Sequence, residues 1–237
     1  MSSCSRFLVA LVAAVAMPLG SFAQACTISD RAVLLILDAS YSMLNRVAAP
    51  GGPTTRFAAA RNAVSGVVDL FPDDGFLALR FYGSQSAAIK MDCTDSVLAV
   101  PFGPAIANRA PIKAALAQAH ARGVTPIAYS LAQAARDFPS DALERTIIVV
   151  SDGGESCDGD PCATAALLHA QGFVINAVGF MIAGIARAQL RCIAAAAGGK
   201  YFDVPVAVSL SESIGQAFGQ CPVAALPARR DGDAVTG

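Results

Sequence analysis

The sequence predicts a single α/β domain with a doubly wound, mostly parallel central sheet, one antiparallel edge strand and helices on both faces. Short runs rich in Val and Ile alternate with longer segments of helical period, which is typical of β-α-β units. The first of these runs is apolar at every position, as a central parallel strand should be. The mature chain, about 200 residues long, is sufficient for one domain with a substantial core.

The first half of the chain supplies a strand, a helix and a pair of strands. Residues 32–37 form the first strand. A helix follows over 55–71, because apolar residues repeat along one face while Arg61 lies elsewhere. A second strand at 76–82 precedes a short strand at 96–100, and no helix fits between them. We therefore expect this short strand to pair antiparallel with its predecessor at the edge of the sheet.

The second half continues the alternation of helices and strands. A helix is predicted over 108–121, and Thr125 is a predicted N-cap followed by Pro126 at the first position of a helix over 126–138. A buried strand follows at 145–150. The remaining elements are a helix at 163–170, a strand at 174–180, a helix at 186–197, a strand at 201–204 and a helix at 210–220.

The N-terminus indicates the compartment. Residues 1–25 are typical of an export signal, since Arg6 supplies the positive start, residues 7–17 form an uncharged apolar core and Ala-Gln-Ala ends the segment. The core is too short to span a bilayer, and no later stretch reaches the ~18 apolar residues that a spanning helix needs. We expect a periplasmic or secreted protein without a transmembrane span.

Six cysteines remain when Cys4 is removed with the signal, and an even number in an exported chain favours disulfides. The candidates are Cys26, Cys93, Cys157, Cys162, Cys192 and Cys221. The turn-forming stretch between Cys157 and Cys162 suggests that these two pair. Cys26 and Cys221 would join the ends of a domain predicted over 26–221, with a loose tail over 222–237.

Cys26 has a second interpretation. Cleavage after residue 25 would place it first in the mature chain, where a bacterial lipoprotein is acylated. The residues before it lack the Leu and the small pair that a lipid-transfer site usually shows. A lipid anchor at Cys26 is therefore the less favoured alternative to a disulfide.

Several functional classes are disfavoured by the sequence. The formal net charge is −1, and no basic stripe indicates a nucleic-acid partner. No glycine-rich phosphate-binding motif follows a strand, and no G-x-S-x-G elbow occurs. An aspartyl phosphotransferase needs a second carboxylate two residues after its strand-end aspartate, where this chain has Ser40. We expect a binding protein and not an enzyme.

Oxygen-bearing side chains are predicted to collect at one edge of the sheet. Asp38 ends the first strand, and Ser40 and Ser42 follow it at alternate positions. Asp152 follows a later buried strand, while Thr125 opens a helix. Ligands of open α/β sheets bind beyond the carboxyl ends of the strands, where these residues should meet. Mg²⁺ prefers oxygen ligands and retains several waters, so this set predicts a site for a hard divalent cation.

Three motifs, in this order and context, resemble those of the von Willebrand factor type A family of the bacterial exported kind. Residues 38–42 match its D-x-S-x-S motif, residues 123–127 its threonine loop and residues 149–153 its aspartate loop. Gly-Gly-Lys-Tyr-Phe at 198–202 also resembles the start of the family's last strand. The likeness covers about 32–221 and implies a metal-ion-dependent adhesion site.

The resemblance also implies a role for each residue. The hydroxyls of Ser40, Ser42 and Thr125 would bind Mg²⁺ or Mn²⁺. Asp38 would bind the ion directly or through a water, and Asp152 through a water. One coordination position would stay open for an Asp or Glu side chain of a partner protein. The alternative is a structural or assembly subunit of a cell-envelope complex, with a vestigial or purely stabilising metal site.

Overall fold

Eight β-strands lie in the part of the chain that the structure describes. This structure is a computed structural model, and it describes residues 31–49, 51–140, 142 and 144–219. Each strand predicted from the sequence is present. The strands are, in chain order, β1 (Arg31–Asp38), β2 (Arg46–Val47), β3 (Thr54–Thr55), β4 (Phe76–Tyr82), β5 (Ser96–Pro104), β6 (Glu144–Ser151), β7 (Phe173–Phe180) and β8 (Tyr201–Val204).

Six α-helices connect these strands within the same described ranges. They are α1 (Arg56–Val67), α2 (Ala105–Gln118), α3 (Ile127–Asp137), α4 (Pro161–Ala170), α5 (Gly184–Ala196) and α6 (Leu210–Ala217). Short 3₁₀ turns occur at Tyr41–Leu44, Ala88–Lys90 and Ala207–Ser209. Each predicted helix is present, with ends that differ by a few residues.

The main sheet has six strands in the order β5-β4-β1-β6-β7-β8. Neighbouring strands are parallel except β4 and β5, which pair antiparallel. The predicted doubly wound sheet with one antiparallel edge strand is therefore confirmed. The strand register places Asp38 beside Tyr82 and Leu37 beside Val150. The carboxyl ends of β1, β4 and β6 consequently lie at one edge of the sheet.

Helices cover both faces of the sheet, as predicted. Val33, Leu35 and Leu37 of β1 pack with α1, α2 and α6 on one face. Leu34 and Ile36 pack with α3, α4 and α5 on the other face. Each of these five side chains is at most 1% exposed. Because burial of one such side chain contributes about 1.5–3 kcal/mol, β1 is a firm support for the residues at its end.

The edge strand and the helix after it differ from the prediction. β5 continues to Pro104 and α2 begins at Ala105, whereas the predicted boundaries were 100 and 108. Asn108 lies inside α2, and its side-chain amide donates to the carbonyls of Leu77 (2.7 Å) and Pro101 (2.8 Å). This tertiary contact holds the first turn of the helix against the strands, which local sequence does not reveal.

Two further differences lie between β1 and β4. α1 ends at Val67 and not at residue 71, because the N–H of Leu70 donates to the Val67 carbonyl and closes a turn. Phe71 still packs in the core, with its ring 5.2 Å from that of Phe218. The small hairpin of β2 and β3 was not predicted, since two-residue strands are too short to show periodicity.

Within the described residues, two disulfides join four of the predicted cysteines. Cys93 pairs with Cys157, and Cys162 pairs with Cys192. The predicted pairing of Cys157 with Cys162 is therefore wrong. The stretch between them does not close on itself, because Asp160 caps α4 and starts a helix there. Cys162 consequently lies in the first turn of α4, where it is joined to α5.

Several predictions fall outside the described residues. These are the export signal over 1–25, the disulfide or lipid at Cys26, the pairing of Cys221 and the tail over 222–237. Within the ranges that the structure describes, we find no helix that is long and apolar enough to cross a membrane.

Candidate metal centre

Asp38 lies at the carboxyl end of β1 and is completely buried. Its Oδ1 accepts a hydrogen bond from the backbone N–H of Ser40 (2.7 Å), and its Oδ2 accepts one from the hydroxyl of Ser151 (2.6 Å). These two bonds fix the direction of the carboxylate. An ionised carboxylate has about four lone-pair sites, so both oxygens keep capacity for a further partner.

The loop after β1 brings two serine hydroxyls together. Ser40 forms a bridge with Gly123, and the N–H of Tyr41 donates to the Gly123 carbonyl (2.8 Å). The loop is thereby held against the turn that precedes α3. The hydroxyl oxygens of Ser40 and Ser42 lie 3.0 Å apart. The alternate spacing seen in the sequence therefore places both hydroxyls at the same edge of the sheet.

Asp152 follows β6, and its carboxylate is buried between two donors. Its Oδ1 accepts a hydrogen bond from the hydroxyl of Ser42 (2.6 Å). Its Oδ2 lies 2.8 Å from Nη1 of Arg56, the first residue of α1. Arg56 is absent from the predicted site. A positive charge in the first turn of a helix is disfavoured by the helix dipole. An arginine at the predicted start of α1 could therefore have indicated a carboxylate partner.

Thr125 lies in the loop before α3, but its side chain does not cap that helix. α3 begins at Ile127 with Pro126 in the cap position, so the predicted N-cap role of Thr125 is wrong. Glu155 serves this helix end instead, because its Oε2 accepts a hydrogen bond from the N–H of Ala128 (2.8 Å). The cap therefore comes from a distant loop.

The hydroxyl of Thr125 instead borders the same space as that of Ser42. The two oxygens lie 3.9 Å and 3.8 Å from the point that a Cβ would occupy at Gly153. Ser156 fixes the backbone of Thr125, since its hydroxyl accepts the Thr125 N–H (2.7 Å) and its N–H donates to the Thr125 carbonyl (3.1 Å). The structure thus joins four predicted ligands in one hydrogen-bonded network and places Thr125 beside it.

The electrostatics of the site follow from its burial. Desolvation, and after it the neighbouring Asp152 carboxylate, raises the pKa of Asp38 from 3.8 to about 6. Hydrogen bonds from Ser151 and Ser40 act in the opposite direction but are weaker. A cation placed between the two carboxylates would offset both unfavourable effects.

The donor set fits a hard divalent cation. It consists of oxygen atoms alone, from two carboxylates and three hydroxyls, which suits Mg²⁺ or Mn²⁺ better than a soft metal. Among the described residues, no three His, Cys, Asp or Glu side chains cluster so that they could hold a metal ion. An ion at this edge would therefore depend on the hydroxyl ligands as well as the carboxylates.

Two more residues around Asp38 are missing from the predicted set. Ser151 donates to its carboxylate, and Tyr82 is its partner in the register of β1 with β4. Tyr82 is fully buried, and burial followed by the charge of Asp38 raises the pKa of the phenol well above its ordinary value. The phenol therefore stays protonated. The sequence gives no sign of this contact, because Tyr82 is one of several apolar or aromatic residues in a predicted strand.

Solved structures with this arrangement of strands and helices include von Willebrand factor type A domains. A von Willebrand factor type A structure from Catenulispora acidiphila matches with a TM-score of 0.61 and 23% identity, over 79% of this chain and 42% of that chain. The SpRpn10 VWA domain matches with a TM-score of 0.64 and 16% identity, over 82% of this chain and 99% of that chain. The chain has a von Willebrand factor type A fold.

Two relatives found by sequence align with most of the chain. The uncharacterized protein YwmC from Bacillus subtilis is 29% identical over 174 residues, which are 72% of this chain and 75% of the relative. The uncharacterized protein YwmD from the same organism is 27% identical over 186 residues, or 74% of this chain and 79% of the relative. No protein-family model matches the sequence. The structural matches confirm the predicted likeness to von Willebrand factor type A domains for the fold alone.

One disulfide of this von Willebrand factor type A fold lies beside the candidate metal centre. Cys157 belongs to the loop that carries Asp152, and its partner Cys93 lies between β4 and β5. The Cys93 loop is itself held at its base, because the N–H of Gly83 donates to the carbonyl of Asp95 (3.0 Å). The disulfide therefore ties the loop after β6 to the loop after β4.

The raised pKa of Asp38 predicts a pH dependence for the metal-free fold. The folded carboxyl binds its proton more tightly than the unfolded one, so its contribution to stability is full below about pH 4 and is lost as pH rises through about 6. We expect the free energy of unfolding to fall more steeply over this interval in wild type than in Asp38→Asn, in which Asp137 and Glu155, whose pKa values burial also raises, still contribute. Urea unfolding of both proteins from about pH 4 to 7 measures this difference. Parallel pH profiles would contradict the assignment.

Proposed function

We propose that the chain is a metal-dependent protein-binding module that holds an acidic group of a partner protein through bound Mg²⁺ or Mn²⁺. The observation that carries the proposal is the meeting of Asp38, Ser40, Ser42 and Asp152 in one hydrogen-bonded network, with the Thr125 hydroxyl beside it. The three hydroxyls are neutral ligands. They would occupy coordination positions of the ion without adding negative charge beyond that of the two aspartates, and an open position would remain for a carboxylate of the partner.

Large apolar side chains on the surrounding loops support a protein as the partner. Tyr41 is 65% exposed after β1, Ile89 is 92% exposed after β4, and Ile185 is 90% exposed at the start of α5. The first two loops both donate backbone hydrogen bonds to residues 122 and 123, so they flank the same turn. The α5 end reaches the Asp152 loop, where Gly154 lies against Ala186. Aromatic and other large apolar side chains of this kind are what a protein partner would bury on binding.

The proposal is for binding without catalysis in an exported protein. Ser40 stands where an aspartyl phosphotransferase would need its second carboxylate. The two disulfides favour an oxidising compartment, such as the periplasm or the cell exterior, because cytosolic thiols are kept reduced. An Asp or Glu side chain is the partner group that this chemistry favours.

A second function is supported by one observation. Asp152 already contacts the hydroxyl of Ser42 and the guanidinium of Arg56, so its charge is compensated by the protein alone. The chain would then be a structural or assembly subunit of an envelope complex, and a metal ion would only stabilise the fold. The two functions differ in whether partner binding requires the ion.

Partner capture separates the two functions. Immobilised wild type and Asp38→Ala would each be exposed to an envelope extract of the source organism, with Mg²⁺ or with EDTA. We expect a protein captured by wild type in Mg²⁺ to be lost in EDTA and absent from Asp38→Ala. Its recapture as a purified protein, and its loss after its surface carboxylates are amidated, would establish acidic recognition. Capture that is indifferent to EDTA and to the substitution would support the structural function instead.

A further inference from the structure

We propose that Arg56 sets the charge of the metal centre, so that the metal-loaded site is net positive and selects an acidic ligand. This inference rests on the proposed function and names the residue that gives the site its ligand preference. Arg56 acts through Asp152 and not as a ligand of the ion. It is therefore a residue that determines specificity by its charge.

The contact between Arg56 and Asp152 is short and shielded. Nη1 lies 2.8 Å from Oδ2, and the side chains are 20% and 0% exposed. Salt screens a pair in this position much less than it screens a surface pair. The backbone N–H of Arg56 donates to the Asn45 carbonyl (2.9 Å), which anchors the arginine next to the loop that carries Ser42. The guanidinium is thus a fixed component of the site.

The position of Arg56 has no local explanation. It is the first residue of α1, where the helix dipole disfavours a positive charge. Its Nε is buried and has no hydrogen-bond partner in the described part of the chain. The contact with the Asp152 carboxylate offsets the unfavourable free energy of burying a guanidinium at this helix end.

Arg56 changes the net charge of the metal-loaded centre. Asp38 and Asp152 carry one negative charge each when ionised, and a divalent cation would make the set neutral. Arg56 adds one positive charge, so the loaded centre would be net positive. Glu155 keeps its own charge when ionised, but its two oxygens are directed to the N–H groups of Ala128 and Cys157, and its contribution is the same with and without Arg56.

This charge has opposite effects on the two binding steps. Arg56 repels the incoming cation and weakens metal binding, but it strengthens the attraction of the loaded centre for a carboxylate. The metal ion and the acidic ligand should therefore bind cooperatively. The ion supplies the positive charge that attracts the ligand, and the ligand carboxylate offsets the repulsion between the ion and Arg56. A loaded centre without the arginine would hold its metal well and discriminate poorly for acidic groups.

The test compares wild type with Arg56→Gln and Arg56→Lys. Arg61→Gln is the matched control, because Arg61 lies on the same helix and donates to the carbonyls of residues 116 and 117, which do not belong to the candidate centre. Mg²⁺ affinity is measured by isothermal titration calorimetry at about pH 8, where carboxylates are ionised. Acetate affinity at saturating Mg²⁺ is measured by NMR. Circular dichroism melting confirms that each variant is folded.

We expect Arg56→Gln to bind Mg²⁺ about tenfold more tightly and acetate several-fold more weakly than wild type, because one positive charge is removed from the surroundings of both ligands. Arg56→Lys should remain close to wild type because it keeps the charge, and Arg61→Gln should be indistinguishable from it. Unchanged or weakened Mg²⁺ binding by folded Arg56→Gln would overturn the inference.

Failure of the proposed function has a different signature. Wild type that binds no Mg²⁺ would refute the metal-dependent function by itself. In that case, Mg²⁺ binding by Arg56→Gln would still support the inference that the charge of Arg56 repels the cation. Absence of Mg²⁺ binding by Arg56→Gln as well would overturn the inference.

Discussion

Asp38→Asn is expected to abolish the Mg²⁺-induced rise in melting temperature while leaving the metal-free protein folded. The substitution removes the charge of the most buried predicted ligand but keeps its size. The apolar side chains of β1, which pack on both faces of the sheet, continue to hold the strand. Removing a buried carboxylate whose pKa is raised should not lower metal-free stability at neutral pH. Thermal unfolding with Mg²⁺ and with EDTA measures both effects.

A matched control for this substitution is Asp69→Asn. Asp69 is a half-exposed carboxylate that pairs with Lys113 away from the sheet edge, so its loss should leave the Mg²⁺ response intact. An equal Mg²⁺ shift in wild type and Asp38→Asn would show that the ion binds elsewhere. Unfolded Asp38→Asn without metal would show that the aspartate is structural.

The double variant Cys93→Ser/Cys157→Ser is expected to weaken Mg²⁺ binding by about tenfold, as losses around metal ligands typically do. It should also lose about 4 kcal/mol of stability, because the disulfide closes a loop with a sequence separation of 64 residues. The bond ties the Asp152 loop to the loop after β4, and the neighbouring Ser156 fixes Thr125. Without the bond, two of the predicted ligands are less well positioned.

The disulfide between Cys162 and Cys192 provides the control for this variant. Cys162→Ser/Cys192→Ser removes the link between α4 and α5, with a sequence separation of 30 residues, and should cost about 3–4 kcal/mol. We expect its Mg²⁺ affinity to stay near that of wild type, because neither cysteine lies in a loop that carries a predicted ligand. Equal affinities of the two double variants in calorimetry would refute a positioning role for Cys93 and Cys157.

The fold class could be predicted because its signals are local. The apolar run that forms β1 and the helical period of α1 are legible in short windows of sequence. The antiparallel edge strand could be predicted because the stretch of sequence between β4 and β5 is too short for a connecting helix. The end of β5 and the start of α2 were wrong by a few residues, since Asn108 is bonded to strand carbonyls that are distant in sequence.

The candidate site was predictable in part for the same reason. Asp38, Ser40 and Ser42 share one short motif, and Asp152 follows a strand, so the sheet alone brings them to one edge. Thr125 was placed there too, but its predicted cap was wrong because Glu155 reaches the end of α3 from another loop. A local sequence pattern shows which neighbouring side chains can cap a helix. It does not show whether a side chain from a distant loop accepts the same N–H group instead.

The sequence by itself determined the order of the helices and of the strands of the main sheet, the oxygen donors available at their ends and the number of cysteines. Only the tertiary structure decided which cysteines pair, that Ser151 and Tyr82 surround Asp38, and that Arg56 neutralises Asp152. The reason is physical. Periodicity and spacing act between neighbours in the chain, whereas the contacts of Ser151 with Asp38 and of Arg56 with Asp152 join residues 113 and 96 positions apart. Such contacts exist only once the sheet has brought its loops together.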